Sequence, residues 1–131
     1  MPLKGRLPRR KKLPDRVFLT VAAAAVLFVS PGVSAQGKLP PYPEALRCAA
    51  LTQAASNVGK GTPQESQLFD QLIYWGMVAS DSGRAAGKNG KAIDTEVARE
   101  SALLEPKLRA QDGSTTAALA ACVAKVPAAA G

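Results

Sequence analysis

A short apolar run near the N-terminus, Val17–Val29, limits most strongly what this chain can fold into. It has 13 residues, whereas a helix that spans a bilayer needs about 20. The small residues Val33, Ser34 and Ala35 follow it. The residues before it are strongly basic, opposed only by Asp15: Lys4, Arg6, Arg9, Arg10, Lys11, Lys12 and Arg16. A basic front, a short apolar middle and a small-residue exit are typical of a secretory signal peptide.

This order predicts that residues 1–35 are a signal peptide, cleaved between Ala35 and Gln36 during export. The alternative is that the apolar run stays in place as an N-terminal anchor. Cleavage would leave the protein in a periplasm or outside the cell, without a stable membrane insertion. The Arg/Lys-rich leader and the Ala-rich remainder indicate a bacterial chain.

The charge of the chain divides at the same point. The whole chain has 17 basic and 10 acidic residues, a net charge of +7, which favours a nucleic-acid binder. Seven of the bases and one of the acids lie in residues 1–35, which leaves 10 bases against 9 acids. These charges are of both signs along the segment, whereas a nucleic-acid surface needs clustered Lys and Arg. We therefore expect no nucleic-acid partner.

Residues 36–131 are long enough for one small domain, in which about two thirds of the unfolded surface can be buried. A covalent link would help a domain of this size. In an oxidising compartment Cys48 and Cys122 are predicted to form one disulfide, worth about 4 kcal/mol. A redox pair or two free thiols are the alternatives, although the spacing lacks CxxC character.

The first two predicted helices follow a Pro-rich segment, residues 36–43, that is expected to be extended. Helix one is predicted over Glu44–Asn57, with one side made of Ala45, Cys48, Ala49, Thr52 and Ala55. Helix two is predicted to start at a capping box, with Thr62 at the N-cap and Glu65 at N3, and to run to Ala86. Two adjoining stripes predict a broad core-facing side: Leu68, Leu72, Trp75 and Ala79, and Phe69, Ile73, Gly76 and Ser80.

Helix three is predicted to start between Lys91 and Asp94 and to kink or break near Ala102–Glu105, because Pro106 removes a backbone donor. Its apolar positions are Ile93, Val97, Ser101, Leu104 and Leu108. Helix four is predicted to be capped by Ser114 or Thr115 and to end near Lys125. Residues 127–131 are a tail.

These elements predict an all-α fold, a small antiparallel bundle of three to four helices in residues 44–126. Cys48 lies near the start of the first helix and Cys122 near the end of the last. Antiparallel packing brings these two ends together, so a disulfide would join the first and last helices. A three-helix bundle with helix one loosely docked is the alternative.

The sequence favours no catalytic chemistry. It contains no histidine, which excludes Ser-His-Asp and Cys-His nucleophiles and the most common transition-metal ligand. It contains no phosphate-binding loop, and we expect no cofactor and no metal. A carboxylate pair such as Glu96 and Glu100 would be the remaining option, if burial separated the two pKa values. We interpret these carboxylates as a solvated face paired with Arg99 and Lys107, and we expect Glu105 to reach Arg109.

The most concentrated feature is LIYWGM, Leu72–Met77. Trp75 is predicted to lie in the core and Tyr74 to be partly exposed. An alternative is a partner-binding patch made of Tyr74, Trp75 and Met77. The sequence thus predicts a small exported protein that binds an envelope protein through a helical surface, such as an envelope chaperone, an inhibitor or an immunity-type protein. An enzyme or cofactor carrier with an unrecognised carboxylate site is the alternative.

Overall fold

A computed structural model describes residues 38–128 of the chain. The predicted signal peptide, the cleavage site between Ala35 and Gln36, and residues 129–131 of the predicted tail lie outside the described residues. The described part contains no strand and is built from four helices: α1 Tyr42–Val58, α2 Glu65–Ala85, α3 Gly90–Arg109 and α4 Gly113–Val123. The prediction of a small all-α bundle is confirmed. The irregular segment before α1 ends at Pro41, two residues earlier than predicted.

The helix directions follow from contacts between helix ends. At the start of α1 the Tyr42 hydroxyl donates to Glu96 near the start of α3, at 3.0 Å. At the end of α1 the Asn57 amide donates to Glu105 near the end of α3, at 2.7 Å. These two bonds show that α1 and α3 run parallel.

Helices α2 and α4 run antiparallel to α1. The Ser82 hydroxyl near the end of α2 donates to the carbonyl of Pro40, just before α1, at 2.9 Å. Cys122 near the end of α4 is bonded to Cys48 in α1, with a Cα–Cα distance of 5.4 Å. The predicted disulfide is confirmed, as is its placement between the first and last helices.

Helix α1 is the centre of the fold, because it packs along both α2 and α3 and also contacts α4. Nearly its whole circumference is buried, including Leu51 and Thr52, each 1% exposed. All five of its alanines are buried: Ala45, Ala49, Ala50, Ala54 and Ala55. The alternative of a loosely docked first helix is therefore wrong.

Helix α2 starts two residues later than predicted, because Thr62, Pro63 and Gln64 form a turn. Glu65 does reach back, but its carboxylate accepts from the amide of Gly61 at 2.8 Å. The helix ends at Ala85, and Gly87, two residues later, adopts a φ of 86°. The amide of Lys88 then donates to the carbonyl of Gly83 at 2.9 Å, which closes a Schellman turn.

Of the predicted kink or break near Ala102–Glu105, the break is wrong, because α3 continues through Pro106 to Arg109. Pro106 lies in the last turn of the helix. The backbone hydrogen bond that it cannot donate is therefore lost close to the helix end, where few residues follow. Gln111 closes the helix with a φ of 58°, and the amide of Asp112 donates to the Lys107 carbonyl at 3.0 Å.

Asp112 is also the N-cap of α4, in place of the predicted Ser114 or Thr115. Its carboxylate accepts from the amide of Thr115 at 2.9 Å and from the hydroxyls of Thr115 and Ser114 at 2.7 and 2.9 Å. These hydrogen bonds, the Thr115 hydroxyl first, lower the pKa of Asp112 to about 2. One residue thus ends α3 and starts α4, which leaves a very short connection.

None of the helices within residues 38–128 combines the length and apolar character that a membrane span requires.

Candidate interaction surface

The inner side of α2 is fixed to the disulfide through Trp75. Its side chain is only 2% exposed, and its indole nitrogen donates to the carbonyl of Cys122 at 3.0 Å. Ala79, one turn later, is 1% exposed. The prediction that Trp75 lies in the core is confirmed. Because the Trp75 indole donates to Cys122, α2 is held to the α4 end of the Cys48–Cys122 link.

The opposite side of α2 carries large apolar side chains that contact solvent. Phe69 is 52% exposed, Ile73 46% and Met77 62%, at a spacing of four residues. We call this side the α2 outer face, defined by Phe69, Ile73, Gly76, Met77 and Ser80. Gly76 and Ser80 are half-buried at its border. The expectation that Phe69, Ile73, Gly76 and Ser80 form a second core-facing stripe is therefore wrong.

The reason lies in helix geometry and in what α2 packs against. At 100° per residue, Ile73 projects about 160° away from Trp75. Only one side of α2 contacts the central helix, and the alanines of α1 let that contact be close. The buried residues of α2 form a narrow stripe: Gln71, Trp75, Ala79, Ser82 and Gly83. The apolar residues of α2 occupy a wider part of the helix surface than α1 covers.

The suggested partner patch of Tyr74, Trp75 and Met77 does not lie on one surface. Met77 belongs to the α2 outer face and Trp75 to the core. Tyr74 is half-buried and meets the Trp75 ring edge to face, with ring centres 5.4 Å apart. It lines a shallow groove between α2 and the end of α4, with Gln67 and Val126. Because Trp75 is buried, it cannot be part of a partner surface.

A polar cluster lies near the start of α1. The Glu96 carboxylate accepts from the Lys88 ammonium at 2.8 Å and from the Tyr42 hydroxyl at 3.0 Å. The ammonium also lies 5.0 Å from the centre of the Tyr42 ring. The hydrogen bond from Lys88, followed by that from Tyr42, lowers the pKa of Glu96. Burial, followed by the bond to Glu96, raises the pKa of Tyr42 to about 12.

This cluster joins α1, α3 and the turn after α2, and its chemistry is that of a structural tie. Glu96 is ionised and its oxygens are already occupied by donors. The other candidate of the pair, Glu100, lies 3.9 Å from Arg99, and Glu105 lies 3.8 Å from Arg109 as expected. No sequence signal pointed to the tie, because Tyr42 and Glu96 are 54 positions apart.

Two further findings concern polar groups. The hydroxyl of Ser101 in α3 is buried and has no hydrogen-bond partner, although the spacing of α3 had placed this residue on the core side. Within residues 38–128 no three side chains of the metal-binding types lie close enough together to hold a metal ion.

No known family matches this chain, and no curated protein or solved structure is detectably similar to it. The fold and the surface alone therefore define its class. It is a small all-α bundle closed by one disulfide, with an exposed apolar face on its second helix.

Proposed function

We propose that this protein is a small exported binding protein and that the α2 outer face is its interaction surface. The partner it fits is a protein helix that presents an apolar side, because the exposed residues repeat at helical spacing. A role as an envelope chaperone, an inhibitor or an immunity-type protein would use such a surface. The proposal rests on one observation, the exposure of Phe69, Ile73 and Met77 on a single side of a helix.

Size and continuity support this interpretation. Single exposed apolar residues are common on protein surfaces, whereas a continuous apolar patch on a monomer is often a binding site. Phe69, Ile73 and Met77 follow one another along about 12 Å of helix, at 1.5 Å per residue. A partner helix laid against this side would cover all three at once.

Rigidity is a second support. The backbone that carries these side chains is anchored on its inner side by Trp75 and, at the C-terminal end, by the Ser82 hydroxyl. A surface held in place loses little conformational freedom on binding, which favours affinity.

Export is the other part of the proposal. The leader pattern of residues 1–35 and the Cys48–Cys122 disulfide both support it, because disulfides persist in oxidising compartments. The intact mass of the protein recovered outside the cytoplasm tests this part. A chain that begins at Gln36 is expected, and a chain that retains Val17–Val29 and sediments with membranes would contradict it.

The surface itself is tested by photo-crosslinking in the cell that produces the protein. A photo-reactive residue is placed at Ile73 in the full chain, and the same residue at Leu103 serves as the control. Leu103 is a matched position because it is also an exposed apolar residue, 60% exposed, on another helix. We expect a discrete crosslinked protein from position 73 and none from position 103. Equal products from both positions, or none from either, would refute the proposed surface.

A further inference from the structure

We infer that the partner helix is α2 of a second copy of this chain, packed antiparallel against the α2 outer face in a twofold dimer. This inference rests on the proposed function, because it identifies the occupant of the same surface. It depends on how the residues of that face match one another when the helix is turned end to end.

The two helices match in one register, in which the numbers of two residues that lie level with each other, one from each copy, add up to 149. In an antiparallel pair, residues with a constant sum lie level with each other. Ile73 is then level with the partner's Gly76, and Phe69 with the partner's Ser80. Each large side chain therefore faces a small one, as close packing of two helices requires.

Gly76 has room to receive the partner's Ile73. A Cβ atom built on Gly76 meets nothing within 4 Å, so the space over this residue is open. Gly83 differs, because a Cβ there would run into the side chain of Ile93. The glycine in the middle of α2 lowers helix propensity and serves no packing within residues 38–128. The dimer supplies the missing packing partner, since Ile73 of the second copy fills this space.

The charges at the two ends agree with the same register. Glu65 is in the first turn of α2 and Arg84 is in the last. Their numbers also add up to 149, so Arg84 is level with the partner's Glu65 at each end of the pair. A parallel pair would instead place like charges level with each other. The apolar match and the charge match therefore select one orientation.

Stability of the dimer is expected to be modest. A single face of a 21-residue helix is about 31 Å long. The surface area that such a face can bury falls at the low end for specific interfaces. We therefore expect a monomer–dimer equilibrium that depends on concentration rather than a permanent dimer.

Sedimentation velocity of the protein, purified after expression of the full chain, tests the inference from about 1 μM to about 1 mM. We expect a shift from monomer to dimer over this range. Ile73→Arg should raise the dissociation constant by about tenfold or more, and Leu103→Arg should leave it unchanged. Gly76→Leu is the decisive variant. It makes the face more apolar but fills the space for Ile73, so the register predicts weaker association.

Three results would overturn the inference. One is a wild-type chain that stays monomeric at the highest concentration. The second is a dimer that Ile73→Arg leaves intact. The third is a Gly76→Leu chain that associates as strongly as the wild type or more strongly, which would indicate non-specific apolar contact. A monomeric chain that still crosslinks to another protein from position 73 would refute the dimer and leave the proposed function standing.

The relative orientation of the two α2 helices is tested separately with spin labels. Each label is attached to an engineered ketone side chain in place of Ser66, so that the disulfide is not modified. In the antiparallel register the two labelled residues are 17 positions apart along the helices, or about 25 Å. A parallel pair would bring them level, close to the separation of the helix axes, about 8–10 Å. The longer distance is expected, and the shorter one would contradict the register.

Discussion

Helices α1 and α2 show that side-chain size and burial are separate properties. Helix α1 is rich in alanine and is buried on almost every side, whereas α2 carries the larger apolar side chains and leaves one side exposed. Small side chains allow neighbouring helices to approach closely, so the alanine-rich helix takes the central position. The larger side chains then lie outside, on a helix with a neighbour on one side only. The exposed side is left available for a partner.

The largest expected effect separates two aromatic residues on the same helix. Trp75→Ala should lower the free energy of unfolding by about 3–5 kcal/mol, because it leaves a cavity and removes the hydrogen bond from the indole to the Cys122 carbonyl. Phe69→Ala, on the exposed side, should cost less than about 1 kcal/mol. Urea unfolding of the two variants measures both values. Equal losses would mean that both sides of α2 are packed.

Reduction of the disulfide should be the next largest effect. The Cys48–Cys122 bond closes a loop over a separation of 74 residues, which corresponds to about 4 kcal/mol in the chain-entropy model. Thermal unfolding with and without reductant measures the loss, and Cys48→Ala with Cys122→Ala provides the matched variant. A melting temperature that does not change would show that α1 keeps its central position without the bond.

Overpacking of the central helix should have an intermediate effect. Ala49 is completely buried, so Ala49→Leu should destabilise the fold by about 1–3 kcal/mol. Ala98→Leu is the control, because Ala98 is exposed on α3 and both residues lie inside helices. Chemical unfolding of the pair tests whether α1 is as tightly enclosed as its burial indicates. A loss of stability close to that of the control would mean that α1 has unfilled space around Ala49.

The smallest expected effect concerns the tie from α1 to α3. Tyr42→Phe removes the hydrogen bond to Glu96 and should cost about 0.5–1.5 kcal/mol at neutral pH. The pKa of Tyr42 is raised from its ordinary value of 10.0 to about 12, so its contribution is full below pH 10 and is lost as the pH rises through 12. Stability measured against pH should fall in this window for the wild type. The Tyr42→Phe chain should lack that part of the fall.

The sequence was sufficient for the helices, their order and the disulfide, because periodicity, turn residues and the two cysteines are local or countable signals. It was not sufficient for the side of α2 that is buried. Phe69 and Ile73 have the spacing of a core stripe, and only the position of α1 shows that they lie outside. The cap of α4 was also misplaced, because Gln111 takes a left-handed conformation that is uncommon for a residue with a side chain. The tie of Tyr42, Glu96 and Lys88 needed the tertiary fold.

The most direct test of the two-sided helix is hydroxyl-radical footprinting of the folded protein, at a concentration where it is monomeric. Trp75 is the only tryptophan of the chain, and Met1 and Met77 are its only methionines. Both side chains react readily when exposed, and they are two positions apart on one helix. We predict that Met77 is oxidised nearly as fast as in the unfolded chain, while Trp75 is strongly protected. Protection of Met77 together with modification of Trp75 would contradict the account.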